Sequence, residues 1–321
     1  LQLINIVSLL LTAIIPNKAI KKMMKNGRWL LGIVLMLFMT NNPASASTSQ
    51  PTDSIQTLVI TGAAPYGYHP WKSNIDLIEP RLKAFNLINT EYHIAHGLED
   101  WRKWDGNYSD YDAIVIIYYW SQAPKAELKK LDRYVRDGGA LVVAHSALAG
   151  FWGQEIFDQW TGIAYRERDA NYGHSLAFDN EKQRIIRPPG EGNGSAHAPI
   201  DTFQIHTQDP DHPIMQGLPK RWMQASDELY YHLRGPNTNL QTLAVAKGPD
   251  GTFAPQAWVR RHDKGRIFCL TPGHHKPGAS SVGFITLLAR GIEWTATGEV
   301  TLPVPTNFPS KQEPSTDLPN F

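Results

Sequence analysis

Short apolar runs and helix-spaced apolar residues alternate along the first half of the chain. Thr57-Leu58-Val59-Ile60-Thr61 reads as a short strand. Ile75, Ile78, Leu82 and Phe85 then recur at helical spacing, with Pro80 expected to kink or split that helix. Residues 91–95 read as a second strand, 101–112 as a loop, and 113–119 as a strongly apolar third strand. Pro124 opens the next helix and Gly138 closes it, with Leu128, Leu131, Tyr134 and Val135 on one face. The run Gly138-Gly139-Ala140-Leu141-Val142-Val143-Ala144-His145-Ser146-Ala147 follows. Its small and apolar residues suit a strand covered on both faces, and it stops abruptly on two polar residues. Strands alternating with helices in short units predict a parallel sheet with crossover connections. The glycines after the first strand lack the G-x-G-x-x-G spacing of a dinucleotide site.

The second half is less regular. A short helix is predicted over 151–160, and residues 161–199 are irregular and rich in Gly, Arg and His, as functional loops often are. An edge strand is predicted over 203–207, and further strands over 242–246, 257–261 and 266–270. The last of these runs into Thr271-Pro272-Gly273-His274-His275. Phe284, Ile285, Leu288 and Ile292 mark a final helix over 282–294, with Gly298 beyond it. There is no internal repeat and no sign of a second domain. The chain divides into an upstream and export segment (1–46), a polar linker (47–56), one α/β domain (57–298) and a Pro-rich tail (299–321) expected to be disordered.

The export reading rests on charge and hydropathy. Lys21, Lys22, Lys25 and Arg28 precede an apolar stretch, 29–39, too short to span a bilayer comfortably, and Ala44-Ser45-Ala46 fits a cleavage site. Met23 or Met24 is a natural start, and the apolar Leu9-Leu10-Leu11 run leaves a membrane anchor as the alternative. A periplasmic or secreted protein with no stable membrane insertion is expected. Five of the 31 Lys and Arg, and none of the acids, lie in residues 1–46, which leaves 26 bases against 30 acids, net −4. That balance excludes a nucleic-acid footprint. The single cysteine, Cys269, permits no intrachain disulfide and, within an apolar run, reads as a core thiol. Ten Trp and twelve Tyr read first as core, and only second as rings on which a pyranose face could pack.

Two predicted strands run into histidine, at His145 and at His274. Parallel strands present their carboxyl ends together, and ligands of open α/β sheets bind there. The acidic pair Asp227-Glu228 precedes two tyrosines; if extended, the two carboxylates face opposite ways and cannot form a retaining-glycosidase pair. One of them entering the pocket and both lying in a solvated turn remain alternatives. His145, His274 and Glu228 would also make a His/His/carboxylate set for a divalent metal such as zinc, although no H-E-x-x-H spacing is present. Ser146 lacks the G-x-S-x-G context of a nucleophile.

Taken together, several strings resemble the ThuA-like family, named for trehalose utilisation. They are the glycine-to-His145-Ser146 run above, Asp211-His212-Pro213-Ile214, Asp227-Glu228-Leu229-Tyr230, Lys264-Gly265-Arg266-Ile267-Phe268 leading to Gly273-His274, and Gly291-Ile292-Glu293-Trp294. The resemblance implies a flavodoxin-like three-layer α/β/α sandwich with a mostly parallel sheet, as in class I glutamine amidotransferases. Those enzymes carry a cysteine at the strand-to-helix elbow, where this chain has His145-Ser146, so glutamine hydrolysis is not expected. The resemblance also implies sugar metabolism, on a keto-glycoside or disaccharide, and it brings Glu228 to the site. The expected chemistry is proton transfer or C–O cleavage beside a carbonyl. His145 serves as base, Glu228 or His274 returns the proton, and the amides that begin the next helix stabilise an enolate. Trp152, Tyr230 and Trp258 are expected sugar platforms, with Ser146, Asp227 and His275 completing the substrate contacts. A non-catalytic sugar-binding protein and a metal-dependent hydrolase are the rival readings. The expected partner is a small carbohydrate, and self-association into a homo-oligomer is left open.

Overall fold

Five parallel strands form the centre of the sheet in the order β2-β1-β3-β4-β14. They are β1 (Ile55–Thr61), β2 (Ile88–Ile94), β3 (Ala113–Ile117), β4 (Ala140–Ala144) and β14 (Gly265–Leu270). The computed structural model describes residues 54–62, 69–118 and 123–321. The stretch expected to direct export (1–46), most of the expected linker and the loop residues 63–68 lie outside the described residues. Every residue of β3 and β4 is buried, as their unbroken apolar sequences require of strands covered on both faces. Alternate residues feed two cores. Val59, Val115, Val142 and Phe268 pack on one side with α1 (Trp71–Lys83) and the final helix α7 (Val282–Thr297). Leu58, Ile114, Val143 and Ile267 pack on the other with α3 (Lys125–Arg136), through Leu128, Leu131 and Val135.

Beyond β14 the sheet continues antiparallel through β13 (Phe253–His262), β12 (Gln241–Lys247) and β8 (Asp201–Thr207) to β9 (Arg221–Asp227). A side branch of β5 (His174–Phe178), β6 (Arg184–Arg187) and β11 (Arg234–Gly235) joins it at β13. The pair β7 (Ala196–His197) and β10 (Tyr230–Tyr231) stands apart. Residues 203–207 are thus interior, not an edge; the edge is β9, whose mixed pattern of Trp222, Gln224 and Ala225 hides it from periodicity.

Other departures have local causes. Residues 101–112 are not all loop: α2 (Leu98–Lys103) and a 3-10 turn at Tyr108–Asp110 form because Trp101 and Tyr108 are buried. Pro80 lies within one continuous helix and does not split α1. After a one-turn α4 (Ser146–Ala149), the helix expected over 151–160 is α5 (Glu155–Thr161). The tail has no regular element, yet it is tied down. The buried Glu293 carboxylate of α7 accepts from Thr301 N and Leu302 N, Ser310 O accepts from Met223 N, and Phe321 packs edge-on against Phe85. Five prolines interrupt the tail, so no regular element forms and isolated backbone groups and rings make the contacts. Residues Asp53–Phe321 form one compact unit, and among the described residues no helix is long and apolar enough to cross a membrane.

Candidate active site

Because β4 and β14 pair in parallel with Ala144 opposite Leu270, the chain leaves both strands at one level. His145 follows β4 directly. Its backbone holds φ 39° and ψ −104°, a region L-residues rarely occupy, at a cost of about 1–3 kcal/mol. Its amide donates to Leu270 O at 2.7 Å, and its carbonyl accepts from Leu148 N at 2.9 Å. Its imidazole is buried, with Nδ1 2.6 Å from Thr271 O and the Tyr230 ring stacked at 5.1 Å. A carbonyl can only accept, so the proton sits on Nδ1 and Nε2 carries a lone pair. That Nε2 lies 3.1 Å from Nδ1 of His274.

The loop bearing His274 is fastened by Asp227 at the end of β9. This fully buried carboxylate accepts from Gly273 N (2.8 Å), His274 N (2.9 Å), Glu228 N (2.9 Å) and Gln224 Nε2 (3.0 Å). Burial raises its pKa to about 6 against the pull of those donors, so it is ionised at neutral pH. With its oxygens filled, Asp227 braces the site and has none to spare for substrate. The turn after it is not solvated: Glu228 is buried as well and enters the pocket. Its Oε2 lies 3.3 Å from His274 Nδ1 and 3.9 Å from His145 Nε2, and its Oε1 lies 3.7 Å from His197 Nδ1. Burial raises the Glu228 pKa, while the nearby His197 opposes the rise.

A third imidazole completes the group. His69, in the loop that follows β1, packs edge-on against His145 (5.3 Å between ring centres) and His274 (4.9 Å). Burial, then the charges of His274 and His197, lowers its pKa to about 3. Burial, then His275 and His197, lowers that of His274 to about 4; burial holds His145 well below the ordinary value, with His69 and His274 adding to the effect. All three are neutral at pH 7. One ring nitrogen from each lies within 4.8 Å of the others, so among the described residues His69, His145 and His274 could hold a metal; His69 takes the place expected of Glu228, whose carboxylate lies alongside.

The remaining expected residues divide. Trp258 is 0% exposed on β13, its Nε1 donating to Thr161 O at 2.9 Å; it is core and offers no face to a sugar. Cys269, opposite it on β14, is likewise buried, and burial pushes its thiol pKa far up. Trp152 is 39% exposed, its Nε1 bound to Ala149 O, with Tyr172 beside it and the Arg166 guanidinium 5.5 Å away. Tyr230 is buried between His145 and Tyr165, backing the site. His275 is half-buried beside His274 and precedes α6 (Lys276–Ser280). Ser146 is buried at the start of α4, and a single turn has too little aligned dipole to stabilise an enolate as expected. His69, His197 and Tyr165 went unrecognised in the sequence. His69 lies eight residues beyond the end of β1, in a loop with no periodic pattern to point to it.

A sheet that gathers imidazoles around one buried carboxylate at the carboxyl edge of its parallel strands has the build of a ligand-processing α/β domain. The chain belongs to the ThuA family, described as trehalose utilisation, which matches residues 56–295. It is 26% identical to a ThuA-like protein of Parabacteroides merdae ATCC 43184, at a TM-score of 0.74, over 83% of this chain and 98% of that one. A ThuA-like protein of Bacteroides uniformis ATCC 8492 shares the fold at 14% identity and a TM-score of 0.52, over 81% of this chain and 98% of that one. No curated protein sequence matches. Membership of the family places the chain in carbohydrate utilisation.

Proposed function

We propose that the protein is an exported carbohydrate-processing enzyme that removes a proton beside the carbonyl of an oxidised (keto) glycoside, with Glu228 as the base. The observation that carries this reading is the Glu228 carboxylate, buried yet aimed at His145, His274 and His197 together. The base role passes to Glu228 because His145 is wholly buried with both ring nitrogens engaged, at Thr271 O and at His274. A carboxylate whose pKa burial raises is a better proton acceptor than one in water. Glu228 takes the C–H proton, the bonding pair forms a C=C bond, and the carbonyl pair moves onto oxygen. Where the deprotonated carbon bears a hydroxyl, its O–H proton passes to the enolate oxygen, and return of the C–H proton from Glu228 to the former carbonyl carbon moves the carbonyl along and isomerises the sugar; alternatively a β-alkoxy group leaves, takes up the proton held by Glu228, and the C–O bond is cleaved. Trp152 and Tyr172 offer rings for a pyranose face. The two cores on opposite faces of the sheet support a flavodoxin-like three-layer scaffold beneath the site.

The test is a set of native and oxidised disaccharides incubated with the protein in D2O and followed by NMR. Deuterium should enter next to the carbonyl of a keto-disaccharide, with or without cleavage. Glu228→Gln should lower the rate by about two to four powers of ten, the usual worth of a positioned proton-transfer group, with substrate affinity nearly unchanged. Full turnover in Glu228→Gln, or binding of sugars with neither exchange nor cleavage in the wild type, refutes the proposal; the second outcome describes a sugar-binding protein.

A further inference from the structure

We infer that His69, His145 and His274 bind one divalent first-row cation, zinc or a close neighbour of zinc, with Glu228 standing beside it as proton acceptor. Zinc–imidazole bonds of about 2.0–2.1 Å in a tetrahedral site set ligand nitrogens roughly 3.3 Å apart. His145 Nε2 and His274 Nδ1 are already 3.1 Å apart, and one ring nitrogen from each of the three histidines lies within 4.8 Å of the others. Small side-chain rotations bring the third nitrogen into range.

The supports behind these rings are those a metal site needs. Thr271 O fixes the His145 tautomer so that Nε2 presents its lone pair to the cluster. Thr271 is itself held at both its amide and its hydroxyl by Gln256. The His274 backbone is pinned by Asp227, and Asn74 Nδ2 donates to the His274 carbonyl at 2.9 Å. The Glu228 carboxylate, 3.3 Å from His274 Nδ1 and 3.9 Å from His145 Nε2, places an acidic group beside the three rings. Three nitrogen donors select zinc, nickel, cobalt, iron or copper over magnesium or calcium.

The inference deepens the proposed function and rests on it for the purpose of the ion, though not for its binding. A keto-sugar oxygen at the remaining coordination position would be polarised, and the charge arriving there when Glu228 takes the proton would be held by the cation. No oxidant or reductant is involved.

The experiment uses the full chain purified without a polyhistidine tag, stripped with chelator, and titrated with Zn2+ by calorimetry and with Co2+ by visible absorption. One ion per chain is expected, with cobalt bands in the visible and a rise in Tm on adding Zn2+. His145→Gln and His274→Gln should each weaken Zn2+ binding at least 100-fold, and Glu228→Gln should keep one ion per chain. Absence of stoichiometric binding in the wild type overturns the inference, and that measurement needs no variant to fold. Unchanged affinity in a folded His274→Gln protein overturns it too. Turnover of a keto-sugar by metal-free protein would discard the cation and keep the proposed function. Tight binding of one ion without any sugar turnover would discard the function and keep the site.

Discussion

Gly278→Ala adds one methyl group in α6, and its target is the carboxylate of Asp227. A Cβ built at Gly278 lies under 3.0 Å from the carboxyl carbon and both of its oxygens. The carboxylate is fully buried and held by four N–H groups, so it cannot swing aside as a surface side chain would. Overpacking of a filled interior costs about 1–3 kcal/mol. Displacing the carboxylate also weakens its bonds to Gly273 N and His274 N, each worth about 1.5–3 kcal/mol as a bond to a charged group. Alanine's better helix propensity returns only about 1 kcal/mol. A net loss of about 3 kcal/mol follows if one of the two bonds is broken. For a folded unit of roughly 270 residues, with about 2.1 cal/mol/K of unfolding entropy per residue, that is a fall in Tm of about 5 °C. Scanning calorimetry measures it. Activity should fall further than stability explains, because His274 moves with its amide. An alanine variant with native Tm and native turnover would refute the idea that Asp227 is a rigid brace for the His274 loop.

Two further outcomes follow. Cys269 in the native protein should not react with Ellman's reagent and should react fully once unfolded; Cys269→Ser should keep turnover and lose about 1–3 kcal/mol by burying a hydroxyl in an apolar strand, and inactivation without loss of stability would instead give the thiol a chemical role. Expressed with its export segment, the protein should be recovered outside the cytoplasm with a mature N-terminus near Ser47, by N-terminal sequencing; retention of residues 29–39 would make that segment an anchor.

The parallel half of the fold was legible because β3 and β4 are short and wholly apolar, β1 and β14 carry apolar runs, and helices with one apolar face separate the first four strands. His145 and His274 could be placed at a common edge on that basis alone. The antiparallel half was harder to read. β9 interleaves Trp222, Gln224 and Asp227, and the polar members of that set are buried by tertiary hydrogen bonds that no local pattern announces. The same blindness applied to Asp227, whose role depends on amides 46 and 47 residues away in sequence. His69 and His197 lie in loops without periodicity, and only the fold reveals their nearness. Trp258 misled for the opposite reason: a large ring in a strand packs into the interior as readily as it meets a ligand, and its indole finds a partner at Thr161 O.

The site straddles two kinds of chain connection. His69, His145 and His274 follow parallel strands of the buried sheet centre, which helices cover on both faces. Glu228 and His197 ride on the hairpins and loops of the other half, where lengthening a connection costs little free energy. The imidazole cluster and the acid are consequently free to diverge at different rates. Residues 188–199 and 229–240 can therefore change length without moving the strand ends at which His145 and His274 sit.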